Sequence, residues 1–170
     1  MSLTILNADI TTLHVDAIVN AANVQLAEGG GVCGAIFRAA GRHQLQAACD
    51  KLAPIQTGEA VITPGFNLPA KFIIHTSGPV WRGGHFGEEN LLRACYLNSL
   101  KRAVEHNLHS VAFPLISAGI YGYPPLEALK VAAKAIIDYQ GELDVTLTVL
   151  DESLIVDFRR WLRESRIDFD

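Results

Sequence analysis

Two glycine-bearing segments hold the residues whose types and spacing could do chemistry. The first runs Asn20-Ala21-Ala22-Asn23 and continues through Val24-Gln25-Leu26-Ala27-Glu28 to Gly29-Gly30-Gly31-Val32-Cys33-Gly34. Small residues let backbone N–H groups approach an anion closely, and a helix opening there would aim its positive end at the same place. The second, Ser117-Ala118-Gly119-Ile120-Tyr121-Gly122-Tyr123-Pro124, follows the apolar run Val111–Ile116 and precedes another helical pattern. Two such loops at the carboxyl ends of strands can face each other across a crevice and hold two linked phosphates from opposite sides. A diphosphate nucleotide fits that arrangement. Gly29 to Gly34 formally satisfies G-x-G-x-x-G, but Gly29 stands well beyond the strand ending at Asn20, and no strand with a terminal acid follows at the right distance. The match to the dinucleotide fingerprint is therefore weak, and the absence of any Gly-Lys dipeptide excludes a Walker A loop.

Other polar residues suggest the remaining contacts, each with a structural alternative. The Asp9 carboxylate, after the first apolar run, could accept from an exocyclic amine such as adenine's, or could cap a turn. Asn20 and Asn23 carry amides that donate and accept at once, which suits ribose hydroxyls and equally suits loop backbone. Tyr121 and Tyr123 offer flat faces to a sugar or base, or pack the loop. His75 ends a strand before Thr76-Ser77-Gly78-Pro79 and reads as a satisfied structural histidine. Cys33 stands at a helix N-terminus, a position that can lower a thiol's pKa. No base is sequence-local to it, and a small residue in a crowded loop is the plainer account.

Charge narrows the partners. Lys and Arg total 14 against 18 Asp and Glu, a net charge of −4, with no basic run. Binding that tracks a nucleic-acid backbone is not expected, and a phosphorylated ligand must be held by backbone N–H groups and helix dipoles. The three cysteines, Cys33, Cys49 and Cys95, contain no C-x-x-C pair, which argues against a disulfide framework and against a zinc site. A reducing compartment follows. No uncharged apolar run approaches the roughly 20 residues that span a bilayer, and the N-terminus lacks a basic stretch followed by an apolar one. The expectation is a cytoplasmic protein with no membrane contact.

These residues must be positioned by a scaffold. The sequence has 170 residues, 49% hydrophobic and 19% charged, without repeats or a composition shift, which suits one domain over residues 1–170. Strands are predicted at Leu3–Leu6, Ala17–Asn20, Ala60–Thr63, Phe72–His75, Val111–Pro114 and Val145–Val149. Helices are predicted at Gly31–Ala40, Gln44–Leu52, Glu88–Asn107, Leu126–Tyr139 and Ser153–Glu164. In the third of these, Leu91, Leu92, Cys95, Leu97, Leu100 and Val104 recur on one face. Alternating strands and helices, with strands apolar on both faces, imply an α/β sheet covered on both sides.

Taken in order, Asn7-Ala8-Asp9-Ile10, Val15-Asp16-Ala17-Ile18-Val19-Asn20-Ala21-Ala22-Asn23, Gly29-Gly30-Gly31-Val32, Ile74-His75-Thr76-Ser77-Gly78-Pro79 and Ser117-Ala118-Gly119-Ile120-Tyr121-Gly122-Tyr123-Pro124 resemble a macrodomain of the MacroD type, nearly end to end. The resemblance implies a three-layer α/β/α domain with a central mixed sheet and an ADP-ribose cleft. It also implies hydrolysis of ADP-ribosylated proteins or O-acetyl-ADP-ribose without a metal or other cofactor. On this basis Asp9 and Ile10 would hold adenine, and Asn23, with Ala22 beside it, would orient the distal ribose. Gly31, Val32 and Cys33 from one loop, and Ser117, Ala118, Gly119, Ile120 and Tyr121 from the other, would wrap the diphosphate and distal ribose. Asn23 and Cys33 are the catalytic candidates. Cys33 and Phe37 stand where the hydrolytic MacroD pattern carries Asp and His, and alphavirus macrodomains, a group that includes hydrolases, resemble this sequence in having Gly-Val-Cys there. Leu150 stands where relatives often place an aromatic near adenine. The resemblance therefore leaves two functions open, a hydrolase and a reader that binds ADP-ribose without chemistry. A thiol enzyme using Cys33 is a third class.

Overall fold

The computed structural model describes residues 2–139 and 141–166. Six strands, β1 (Ser2–Leu6), β2 (Ala17–Ala21), β3 (Ala60–Pro64), β4 (Phe72–Thr76), β5 (Ser110–Phe113) and β6 (Asp144–Thr148), form one sheet in the order β1-β6-β5-β2-β4-β3. All neighbours are parallel except the edge pair β3 and β4, which makes the sheet mixed. Five helices cover it: α1 (Gly31–Ala40), α2 (Arg42–Asp50), α3 (Glu88–Glu105), α4 (Pro125–Asp138) and α5 (Glu152–Glu164).

The alternation of side chains along each strand divides the core in two. Ile18, Ile73 and Ala112 face the layer of α1 and α2, where Ile36, Phe37, Leu45 and Cys49 are buried. Ala17, Val19, Ile74, Val111 and Phe113 face the layer of α3, α4 and α5, with Leu92, Tyr96, Leu129 and Phe158. Each large apolar side chain buried this way contributes about 1.5–3 kcal/mol. Central strands sandwiched by both layers must be apolar on both faces, which is why they read as continuous Val and Ile runs.

The boundaries differ from the sequence expectation where backbone geometry intervenes. Helix α3 stops at Glu105, short of Asn107, because the His106 N–H turns back to Arg102 and Ala103 and Asn107 enters the left-handed region at φ 57°. Val104, expected on its buried face, is exposed. Helix α2 starts at Arg42 instead of Gln44: Gly41, at φ 108°, both ends α1 and opens α2, a conformation that favours glycine. Strands β5 and β6 each begin one residue earlier than expected, paired Ser110 to Asp144. A 3-10 turn at Ile10–Thr12 has no counterpart in the sequence expectation.

Candidate functional site

Because β1, β6, β5 and β2 run parallel and adjacent, their carboxyl ends share one edge of the sheet. Across roughly 14 Å of strand spacing, that edge presents Asp9 and Ile10 after β1, Leu150 after β6, the Ser117 loop after β5 and the Asn23 to Gly30 loop after β2. Asn7 Nδ2 donates to the Leu150 carbonyl at 3.4 Å and ties the first two together. Asp9 caps the 3-10 turn: its Oδ1 accepts from the Thr11 N–H at 3.0 Å and the Thr11 hydroxyl at 2.7 Å. The cap reading is thus met by Oδ1 of an exposed carboxylate, while Oδ2 is free of protein donors among the described residues and has room for a further donor. Ile10 is buried beneath it, whereas Leu150 is 79% exposed.

The loop after β2 leads into α1. The Ala22 N–H donates to the Thr76 carbonyl at 2.9 Å, continuing the β2 and β4 pairing, and Gly31 takes up φ 57° to start the helix. Gly30 caps α1 without a side chain, so among the described residues the N–H groups of Gly31, Val32 and Cys33 find no protein acceptor. Those unpaired donors, at the positive end of the helix dipole, are an anion site in waiting. The loop after β5 is similar. Ser117 adopts φ 68°, the Tyr123 N–H closes on the Ser117 carbonyl at 2.9 Å and the Gly122 N–H on Gly119 at 3.0 Å. The N–H groups of Ala118, Gly119, Ile120 and Tyr121 stay unpaired among the described residues. The two loops face each other: a Cβ on Gly30 would lie 3.9 Å from Ile120 Cδ1, and Ile120 is 90% exposed.

Behind the first loop runs a chain of neutral hydrogen bonds. Asn20 Nδ2 lies 3.1 Å from His75 Nδ1 and 3.7 Å from Cys33 Sγ. His75 Nε2 lies 2.9 Å from Thr63 Oγ1, which donates to the Pro64 carbonyl at 3.1 Å. One tautomer satisfies this set: Asn20 donates to Nδ1, and Nε2–H donates to Thr63. Burial lowers the His75 pKa to about 4, so the ring is neutral. Asn20 Oδ1 remains buried without a partner. The Cys33 thiol donates to the Ala27 carbonyl at 3.7 Å, and Asn23 closes the chain, Nδ2 donating to the Ala27 carbonyl at 2.9 Å and Oδ1 accepting the Ala27 N–H at 3.1 Å.

Cys33 follows the plainer of its two sequence readings, a small residue in a crowded loop. Burial raises its pKa, outweighing the lowering effects of the Gly29 N–H and Asn20, and Glu28 adds to the rise. The helix end does not make it a reactive thiolate; the buried side chain braces the loop. Asn23 likewise serves the loop backbone, although its amide keeps one further proton and lone-pair capacity. Tyr123 packs the loop, buried with its ring 4.6 Å from that of Trp81, whereas Tyr121 is half-buried. His75 is a satisfied internal histidine, as its sequence position suggested.

Sequence reasoning missed Glu88. This carboxylate heads α3, almost wholly buried, with Oε2 accepting from the Arg82 N–H at 2.9 Å and the Gly84 N–H at 2.8 Å, and Oε1 from the Phe86 N–H at 2.6 Å. Burial works against the charge, but those donors and its own N–H bring its pKa down to about 2. The available signal was an acid opening a helix directly after Gly83-Gly84-His85-Phe86-Gly87.

The Macro domain model matches residues 19–132, which include both loops. The chain belongs to the macro domain family. A macro domain-containing protein of Ralstonia nicotianae is 54% identical over 144 residues, covering 85% of this chain and 84% of its own. A protein of Escherichia fergusonii named O-acetyl-ADP-ribose deacetylase is 52% identical over 139 residues, covering 79% and 78%. Among solved structures, the Oceanobacillus iheyensis macrodomain with ADP superposes with a TM-score of 0.88 at 40% identity, covering 95% of this chain and 91% of that one. The Trypanosoma brucei macrodomain in complex with ADP-ribose gives 0.83 at 36%, covering 94% and 68%. The architecture is the three-layer α/β/α fold with a mixed sheet that the resemblance implied. Among the described residues of this macro domain no helix is long and apolar enough to cross a membrane.

Proposed function

We propose that the chain acts as one macro domain in the cytoplasm, binds ADP-ribose along the carboxyl edge of its sheet, and hydrolyses ADP-ribosyl esters on proteins or O-acetyl-ADP-ribose. The observation that carries this reading is the pair of facing loops, each with a run of unpaired N–H groups, in a protein of net charge −4. Donors of that kind can hold a diphosphate by hydrogen bonds and the helix dipole without lysine or arginine. Asp9 accepts from adenine through its free oxygen, while the loop donors grip the diphosphate. The remaining amide capacity of Asn23 orients the distal ribose.

For an ADP-ribosyl ester, water attacks the anomeric carbon of the distal ribose through an oxocarbenium-like transition state. The new C–O bond forms as the bond to the acyl oxygen breaks. The acyl group leaves as a carboxylate, which needs no proton, and the proton of the attacking water passes to a phosphate oxygen of the substrate. Cys33, a protonated and buried thiol, is not the base. Catalysis then rests on positioning and on the preorganised N–H donors.

Cys33, which stands where the resembled hydrolases carry aspartate and is buried against the Ala27 carbonyl, favours a second reading, a module that binds ADP-ribose without chemistry. A single-turnover assay on a protein ADP-ribosylated at Asp or Glu separates the two: release of ADP-ribose supports the hydrolase, and intact ester in the presence of saturated protein supports the reader. Calorimetry with ADP-ribose, ADP and AMP tests the shared premise. Tighter binding of ADP-ribose than of AMP is expected, and equal or absent binding of all three overturns both.

A further inference from the structure

We propose that Glu88 is a positioning residue for the distal half of the ligand, acting through the loop after β4 on the second glycine loop. The proposal rests on the ADP-ribose reading above. Residues 77–87 connect β4 to α3 and contain three glycines with positive φ, Gly83, Gly84 and Gly87, so the segment has little intrinsic preference for one shape. Glu88 supplies that preference by accepting from Arg82, Gly84 and Phe86 at 2.6–2.9 Å.

The segment so fixed reaches the site through Trp81. The Trp81 N–H donates to the Tyr121 carbonyl at 2.8 Å, and its ring lies against that of Tyr123. Tyr121 belongs to the run of unpaired N–H groups from Ala118 onward. Its carbonyl is therefore held by a neighbouring loop whose own shape depends on one carboxylate. The N–H groups that would meet the diphosphate and distal ribose are preorganised from outside their own loop.

The chemistry requires a carboxylate at this place. Its two oxygens are acceptors only and meet three backbone N–H groups, whereas a glutamine offers one oxygen and turns an NH₂ toward at least one of those donors. Glu88→Gln keeps the size and volume of the side chain and replaces one of its two acceptor oxygens with a donor, so it changes loop order with minimal change in packing.

The experiment is calorimetric titration of wild type and Glu88→Gln with ADP-ribose and with AMP, alongside a melting curve for each. The expected result is a loss of ten-fold or more in ADP-ribose affinity with AMP affinity changed less than two-fold, since AMP lacks the distal ribose that the Tyr121 loop serves. Equal ADP-ribose affinity in the two proteins overturns the positioning role. A parallel loss of both ligands also overturns it, because general destabilisation would do that. Wild type that binds no ADP-ribose overturns the functional reading itself, a result distinguishable from either.

Should Glu88→Gln fail to fold, hydrogen exchange on the wild type decides. The amides of Arg82, Gly84 and Phe86 must be protected in the ligand-free protein, and the Trp81 amide must gain protection together with those of Ala118 to Tyr121 when ADP-ribose is added. Unprotected amides at Arg82, Gly84 and Phe86, or gains at Ala118 to Tyr121 without Trp81, overturn the proposal.

Discussion

The loop between β2 and α1 rests on neutral groups that pass hydrogen bonds inward through Asn20, His75 and Thr63, whereas the loop between β5 and α4 is stitched, through Trp81, to a segment organised by a buried carboxylate. Both present unpaired N–H groups to the same crevice, so the difference lies in what keeps them in place. Neutral backing depends on one protonation state of one ring and is undone in mild acid. Ionic backing persists until the carboxylate takes a proton, near pH 2. On the proposed function one ligand would rest on two supports with separate failure conditions, and each can be broken alone.

The harshest break is steric. A Cβ on Gly34 would stand 2.5 Å from the Gly29 carbonyl oxygen, and one on Gly78 would overlap Ser117 Oγ and come within 2.6 Å of Ile116 Cγ2. Alanine favours a helix over glycine by about 1 kcal/mol, but overpacking typically costs about 1–3 kcal/mol and a backbone oxygen cannot swing aside. Gly34→Ala is therefore expected to lose up to about 2 kcal/mol in urea unfolding and most ADP-ribose affinity. Gly78→Ala meets side chains instead, which yield more readily, and should cost less. The reverse ranking would show that the first loop is the softer of the two.

Acid comes next. Folded His75 titrates near pH 4, below its usual 6.5, so between those values the unfolded chain binds the extra proton. Stability from this group is complete above pH 6.5 and is lost as pH falls toward 4, on the order of 3 kcal/mol in all. Glu88, also depressed, contributes stability that is present above pH 4.5 and lost as pH falls toward 2. Urea unfolding at a series of pH values should therefore show a slope between pH 6.5 and 4 that His75→Gln removes. Below 4.5 the Glu88 slope should remain. Parallel curves for wild type and variant between 6.5 and 4 would mean that the neutral chain does not set acid stability.

Much of this scaffold is legible in the residue order. Ala17–Asn20 and Phe72–His75 read as strands because both faces are buried, and the succession of strand, glycine loop and helix occurs twice, which is enough to expect opposed loops. What is not legible is the backing. His75 meets Thr63 and Asn20 only because β4 lies between β3 and β2, and no local pattern reports that adjacency. Glu88 reads as an ordinary acid in a first helical turn, since its three donors come from a loop whose glycines leave its path undetermined. Cys33 offers two readings in sequence, a thiol at a helix end and a small residue in a crowded loop, and its burial, which raises its pKa, favours the second. The fate of Asp9 was ambiguous because one carboxylate has capacity for both a cap and a ligand.

Cys33 gives an intermediate effect. In Cys33→Asp a carboxylate would replace a thiol that faces the Ala27 carbonyl, with Glu28 contributing like charge and only Asn20 and Gly29 as donors. Burying it incompletely paired costs more than the roughly 1–3 kcal/mol of an unpaired neutral polar group. The sequence comparison with hydrolytic relatives suggests that this change restores a base and speeds turnover. The geometry predicts the opposite, lower stability with no gain in turnover at saturating substrate, because the side chain points into the loop's support. A faster Cys33→Asp enzyme would place the side chain in the crevice.

Asn23 should give the smallest effect on stability and the most informative one on function. Its two bonds to Ala27 are local and half-exposed, so deleting them in Asn23→Ala is expected to cost about 1 kcal/mol. An amide has two protons and two lone pairs, and Ala27 takes one of each, so the remaining proton and lone pair stay open to the ribose hydroxyls. Bracing the loop and orienting the ligand are therefore compatible in one side chain. If both operate, turnover of an ADP-ribosyl ester should fall at least a hundred-fold at a temperature where Asn23→Ala is still fully folded, while AMP affinity is unchanged. If turnover instead falls only in proportion to loop order, as read by exchange at the Ala27 amide, Asn23 is a brace alone and the ribose is oriented from the Tyr121 side of the crevice.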